Sequence, residues 1–172
     1  VGTAYAVYRA IAHGEPVLSR IVTLTGNVAR PGNWEVLIGT PIDELLPLAQ
    51  PKADTNRYLM GGPMMGIAQY SLETSVIKNT NAILALDKKE GDLPSESACI
   101  RCGRCVEACP MLLVPSELNR LVMAGKYEEL EKYHVLDCIE CGSCSYACPA
   151  KRYLVQSIRM GKDEARKTAK KA

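Results

Sequence analysis

The sequence predicts an α+β chain made of two small modules. Three observations carry that expectation: strand-like runs of Ile, Val and Thr between turn residues in the first half, a duplicated cysteine motif in the second, and helical periodicity in the flanking segments. The chain has 172 residues, of which 47% are hydrophobic and 23% charged, so neither a disordered chain nor one large enzyme fold is expected. With no Phe and one Trp, the cores must rest on Leu, Ile, Val and Met. The 21 Lys and Arg against 19 Asp and Glu leave a net charge of +2, too balanced to point to nucleic acid. No apolar run approaches the roughly 20 residues that span a bilayer, so no transmembrane segment is expected.

Residues 1–12 carry apolar side chains at positions 1, 4, 7, 8 and 11, the spacing of an amphipathic helix, and Gly14 suits its end. Val1 lies inside that pattern, so the chain reads as part of a longer protein. His13 at the helix end reads as a surface residue. Residues 20–25 alternate as a strand. Gly26-Asn27 and Pro31-Gly32-Asn33 bracket a hairpin connection, and residues 34–38 form its return strand. Thr40 caps a short helix that starts at Pro41 and carries Asp43 and Glu44 in its first turn. Leu45, Leu46 and Leu48 are expected on its inner face. Residues 58–60 and 82–86 read as two more strands. This β-β-α-β-β order points to a β-grasp, ubiquitin-like fold over residues 19–90. Gly61-Gly62-Pro63-Met64-Met65-Gly66 lacks the spacing of a P-loop or dinucleotide loop and reads as a tight turn, with Met64 and Met65 as packing residues. Residues 88–92 form a polar linker.

The eight cysteines fall into two runs. Cys99, Cys102, Cys105 and Cys109 precede Pro110; Cys138, Cys141, Cys144 and Cys148 precede Pro149. Each run reads C-x2-C-x2-C-x3-C-P, and each member of the second follows its counterpart by 39 positions. Ile100 and Ile139, Gly103 and Gly142, and Ala108 and Ala147 repeat at the same offset. Three cysteines at i, i+3 and i+6 supply three corners of an iron–sulfur cubane, and in two-cluster ferredoxins the fourth cysteine of each run serves the other cluster. One [4Fe–4S] cluster is therefore assigned to Cys99, Cys102, Cys105 and Cys148, the second to Cys138, Cys141, Cys144 and Cys109. Metal binding would then drive folding, because each cluster joins both halves. Disulfides would need a secreted scaffold with scattered cysteines, and structural zinc would need paired knuckles across a longer gap. Neither pattern fits these runs well.

Gly103 and Gly142 let the backbone approach sulfur, and Ile100 and Ile139 cover the clusters. Arg101, Arg104, Lys151 and Arg152 flank the ligands and read first as solvated surface. Between the runs, Pro115 opens a helix through about Ala124, closed by Gly125, with Leu118, Leu121 and Val122 as its apolar stripe. Residues 127–134 form a second helical stretch whose His134 reads as a surface residue. The two-cluster ferredoxin domain is placed at residues 91–161. Residues 162–172 are expected to fray as a basic tail, in which Lys167, Lys170 and Lys171 can attract anionic lipid but read first as solvated.

Ala98-Cys-Ile-Arg-Cys-Gly-Arg-Cys-Val-Glu-Ala-Cys-Pro110 and Asp137-Cys-Ile-Glu-Cys-Gly-Ser-Cys-Ser-Tyr-Ala-Cys-Pro-Ala150, followed by Leu154-Val155-Gln156, resemble the cluster domain of the C subunits of Rnf complexes. Thr25-Gly-Asn-Val-Ala-Arg-Pro-Gly-Asn-Trp-Glu-Val36 with Gly61–Gly66 resembles the soluble-ligand-binding β-grasp domain of that family. Residues 1–18 resemble the end of its domain related to the flavin-bearing subunit of complex I. Tyr153 departs from the pattern, which has proline there. The resemblance implies a subunit of an ion-translocating ferredoxin:NAD oxidoreductase. Such a subunit is peripheral on the cytoplasmic face of a bacterial or archaeal membrane and partners the membrane subunits and ferredoxin. FMN and NAD(H) sites belong, by the same resemblance, to a part of the protein preceding these residues. A related cobalamin reductase of bacterial microcompartments and a structural iron–sulfur interaction module are the competing readings.

Overall fold

The structure is a computed structural model and describes residues 1–169. The chain divides into two compact units, Val1–Leu93 and Pro94–Ala172.

In the first unit, helix α1 (Gly2–His13) ends at Gly14, whose φ of 66° lets its N–H turn back to the Ala10 carbonyl. No residue of α1 is buried. Five strands follow in one sheet: β1 (Ser19–Gly26), β2 (Gly32–Leu37), β3 (Thr55–Met60), β4 (Ile67–Ala68) and β5 (Ala82–Asp87). Their order is β2-β1-β5-β3-β4, with β1 parallel to β5 and the other neighbours antiparallel. Strand β4 has only two residues, too few to show an alternating pattern in the sequence. Gly26, at a φ of 94°, lies where a Cβ would strike the Ala85 carbonyl oxygen, so the parallel β1–β5 approach requires glycine.

Helix α2 (Ile42–Ala49) begins one residue later than expected, with Pro41 as its extended N-cap and Asp43 and Glu44 in its first turn. Its inner face is Ile42, Leu45, Leu46 and Ala49, the i, i+3, i+4, i+7 set. Leu48, expected inside, is 43% exposed because it falls off that stripe. These residues pack with Val22, Leu24, Val36 and Ile83 of the sheet. Residues 88–92, expected as a linker, begin with a one-turn helix, α3 (Lys88–Gly91), capped by Asp87 accepting from the Glu90 N–H at 2.7 Å.

The second unit holds α4 (Arg104–Glu107), α5 (Pro115–Met123), 3-10 turns at Tyr127–Tyr133 and Val135–Asp137, α6 (Ser143–Ala147) and α7 (Leu154–Ala169). Leu118, Leu121 and Val122 bury the expected stripe of α5 against Leu130, Val135 and Ile158. Helix α7 lies so close to α5 and the first 3-10 turn that a Cβ at Gly161 would come within 2.7 Å of Val122. The expected fraying from Lys162 is corrected: α7 runs unbroken through this point, and Lys162 is buried by its contacts with Glu140 and Cys138. Lys167 is exposed and pairs with Glu164; Lys170 and Lys171 lie outside the described residues. Among the described residues, no helix is long and apolar enough to cross a membrane.

Candidate metal centre

The 39-residue repeat of the sequence is a repeat of backbone conformation. Arg101, Gly103 and Leu112 adopt left-handed φ values of 54°, 79° and 55°, and Glu140, Gly142 and Lys151 adopt 58°, 87° and 52°. Four of these six are not glycine. A side chain in this region is strained, and such strain persists where the surroundings over-determine it. Each run therefore folds into the same loop, which turns into a short helix (α4 or α6) immediately after Gly103 or Gly142. A Cβ at Gly103 would meet no atom within 4 Å, so the positive φ rather than crowding by the protein selects glycine.

The loops enclose two cavities. Cys99, Cys102, Cys105 and Cys148 line the first, of about 150 Å³. Cys109, Cys138, Cys141 and Cys144 line the second, which is narrower at about 20 Å³. Each cavity thus gathers three cysteines of one run and the last cysteine of the other. The two correspond throughout: every residue lining one has its counterpart, 39 positions away, lining the other. Pro149 and Pro110, Leu154 and Pro115, and Ile100 and Ile139 are such pairs. None of the eight cysteines is in a disulfide. Among the described residues, no three Cys, His, Asp or Glu side chains gather as they would around a single metal ion.

The sulfurs receive backbone donors. The Leu113 N–H donates to Cys109 Sγ and the Glu140 N–H to Cys138 Sγ, both at 3.4 Å. Cys105 and Cys144 are buried and form an apolar cluster with Leu154 and Val155, while Cys99 and Cys102 are exposed. Burial pushes the Cys144 thiol up to about 11 and raises Cys138 as well. Hydrogen bonding with the Ser143 side chain holds Cys141 below its ordinary value. A buried thiol of raised pKa ionises when a cation takes the place of its proton, so metal binding to such a donor set would release protons.

Glu140 is held by two cations: Lys162 Nζ at 2.7 Å and Arg159 Nε at 2.8 Å. Burial raises its carboxyl pKa, but these hydrogen bonds outweigh burial and hold the carboxyl below the usual range. Lys162 Nζ also donates to the Cys138 carbonyl at 2.7 Å. Arg152, expected at the solvated surface, lines the first cavity instead. Its Nη1 faces Glu96 at 3.3 Å, its Nη2 donates to Asn119 at 3.2 Å, and its buried Nε has no hydrogen-bond partner among the described residues. An orphaned buried donor beside four thiols fits a sulfur-bearing group in that cavity.

Ile100 and Ile139 line the cavity mouths but remain 67% and 52% exposed, so they border the sites rather than seal them. His134 is exposed, faces Asp137 and lies outside the second cavity lining. His13 is exposed beside Tyr8. Tyr153 uses the N–H that proline would lack: it donates to Glu96 at 2.6 Å, and its phenol donates to the Pro94 carbonyl at 2.6 Å. Reading the cysteines alone missed Ser116, Asn119, Leu113, Val155 and Ile158. Extending the 39-residue offset beyond the cysteines would have paired all five.

The family described as "4Fe-4S dicluster domain" matches residues 98–153, and the family described as "SLBB domain" matches residues 21–68. The chain is 46% identical over 164 residues to the C subunit of the ion-translocating oxidoreductase complex of Rhodobacter capsulatus, covering 94% of this chain and 32% of that protein. It is 46% identical over 169 residues to the C subunit of the proton-translocating ferredoxin:NAD(+) oxidoreductase complex of Clostridium ljungdahlii, covering 96% and 37%. The corresponding protein of Pseudomonas aeruginosa is 46% identical over 174 residues, covering 99% and 22%. The chain thus spans between 22% and 37% of the length of these relatives.

Proposed function

We propose that this chain, a homologue of part of the C subunit of ion-translocating oxidoreductase (Rnf) complexes, carries electrons through two [4Fe–4S] clusters between a flavin and NAD(H) site elsewhere in the protein and partner subunits at the membrane. The single observation that carries this reading is the pair of matching cavities, each gathering four cysteine thiols contributed by both runs. In this reading Cys99, Cys102, Cys105 and Cys148 hold one cluster, and Cys109, Cys138, Cys141 and Cys144 hold the other. Bound [4Fe–4S] clusters supply one-electron carriage at low potential without making or breaking a substrate bond.

The chain's own residues orient the sulfurs and control water. The left-handed positions at Arg101, Gly103, Glu140 and Gly142 shape the loops, and backbone N–H groups of Leu113 and Glu140 donate to ligand sulfurs. Leu154 and Val155 keep the inner cysteines dry. Exposure of Cys99 and Cys102 leaves one edge of the first site open to an electron-transfer partner, which we assign to another subunit or to ferredoxin.

The strand order β2-β1-β5-β3-β4, with a parallel central pair, supports a β-grasp fold for residues 19–90, and its role here is to bind a neighbouring subunit. Residues 91–161 make up the ferredoxin domain, and residues 1–18 the end of a flavin domain. As part of such a complex the chain sits peripherally on the cytoplasmic face of the membrane. The test is a reductive titration of the anaerobically purified chain followed by electron paramagnetic resonance. Reversible one-electron reduction at low potential supports a relay; redox silence in an iron-loaded chain makes the clusters structural only and overturns it.

A further inference from the structure

The correspondence between the cavities makes their differences readable position by position. Arg152 stands where Leu113 stands in the other cavity, Asn119 where Ile158 stands, and Ser116 where Val155 stands. One wall is polar and hydrogen-bonding; its counterpart is aliphatic.

The Arg152 guanidinium is fixed at both terminal nitrogens, on Glu96 and on Asn119. Asn119 is itself buried and donates to Ser157 Oγ at 2.7 Å, so this anchor cannot swing away. Arg152 lines the thiol-bearing cavity, and its Nε is buried with no hydrogen-bond partner among the described residues. For such a cationic donor a cluster sulfur would serve as the acceptor. Reduction adds one negative charge to a cluster that its four thiolates already make anionic. A hydrogen bond from a cation stabilises the reduced state more than the oxidised one and raises the reduction potential. Leu113, Val155 and Ile158 offer no side-chain donor; the second set's sulfurs receive the uncharged backbone N–H groups of Leu113 and Glu140, weaker donors than a cation, and apolar burial opposes the added charge.

The remaining charges do not separate the two sites. Arg101 in the first cavity corresponds to Glu140 in the second, whose single carboxylate Lys162 and Arg159 more than offset, so the difference rests on Arg152 as a donor. Glu96 likewise offsets the charge of Arg152 but not the free direction of its Nε–H donor.

We infer that Arg152, seated on Asn119, gives the cluster of Cys99, Cys102, Cys105 and Cys148 the higher reduction potential, so that the first electron to enter the pair settles there. This deepens the electron-relay reading and rests on it. Transfer between the sites oxidises the cluster of the Cys138 set by one electron and reduces that of the Cys99 set by one; no proton moves and no bond breaks.

The experiment is a potentiometric titration of the anaerobically purified, iron-loaded chain with dithionite, monitored by electron paramagnetic resonance. The wild-type chain should reduce in two separate steps. Arg152→Leu, which installs the residue of the duplicate position, should move the higher-potential step down toward the lower one and leave the lower one in place. Where Arg152→Leu lowers iron content, Arg152→Gln serves instead and should move the same step in the same direction. A single unsplit step in the wild-type chain, a shift of the lower step, or no shift overturns the inference while leaving the relay intact. A wild-type chain purified without iron overturns both.

Discussion

Lys162 Nζ lies 2.7 Å from Glu140 Oε1 with only 7% of its side chain exposed, joining helix α7 to the loop between Cys138 and Cys141. Because the same ammonium donates to the Cys138 carbonyl, it ties the last helix to the second cysteine run.

Removing one partner of a buried ion pair leaves the other charge uncompensated. Because Lys162 is buried but Glu140 only partly so, Glu140→Ala should destabilise the chain by about 1–3 kcal/mol, while Lys162→Met with Glu140→Gln should come much closer to wild type. Denaturant unfolding of the iron-loaded protein measures both. The pH dependence follows from the lowered carboxyl pKa of Glu140. Its contribution is fully present above the unfolded carboxylate value of about 4.3 and is lost as pH falls through the lower folded value. Glu140→Gln should flatten unfolding free energy against pH in that acid range, above the point where the whole protein unfolds.

Tyr153 makes two hydrogen bonds, neither of which a proline could make. Tyr153→Pro removes the N–H that reaches Glu96 and the hydroxyl that reaches Pro94, at a cost of about 1–3 kcal/mol. Iron content should stay unchanged, because neither group contacts a cysteine. Unfolding curves and iron assays on the same sample test the two halves of this expectation.

The exchange of cysteines between the runs separates two double variants. Cys109→Ala with Cys138→Ala touches one cavity only and should leave about four iron per chain. Cys109→Ala with Cys99→Ala touches both and should leave none. If each run held its own cluster, the two results would be reversed.

Iron removal should affect the two units unequally. The buried cysteines Cys105 and Cys144 are part of the apolar cluster with Leu154 and Val155, so chelation takes away a staple of the second unit. The sheet of the first unit has its own core around Val22, Leu24 and Ile42. Hydrogen exchange after chelation should show lost protection in α5 and α7 with β1 and β5 still protected.

Much of this was legible from spacing alone. The C-x2-C-x2-C-x3-C-P pattern, read as that of two-cluster ferredoxins, raised the expectation of exchanged fourth cysteines, and each cavity is lined by three cysteines of one run and the last of the other. Strands β1, β2, β3 and β5 announced themselves through Ile, Val, Thr and Tyr content and through the turn at Gly26-Asn27. What stayed hidden depended on long-range contacts. Lys162 reads as the start of a solvated tail until Glu140, 22 positions earlier, is known to face it. Arg152 reads as surface until Asn119 and Glu96 are seen to pin it inside. Leu48 carried the right chemistry at the wrong angle of a short helix.

Native mass spectrometry of the anaerobically purified chain tests the central claim most directly. The account predicts one folded chain carrying two cores of four iron and four sulfide each, about eight iron in all. A chain carrying zinc, or one lighter by the hydrogens lost to disulfides, would contradict it.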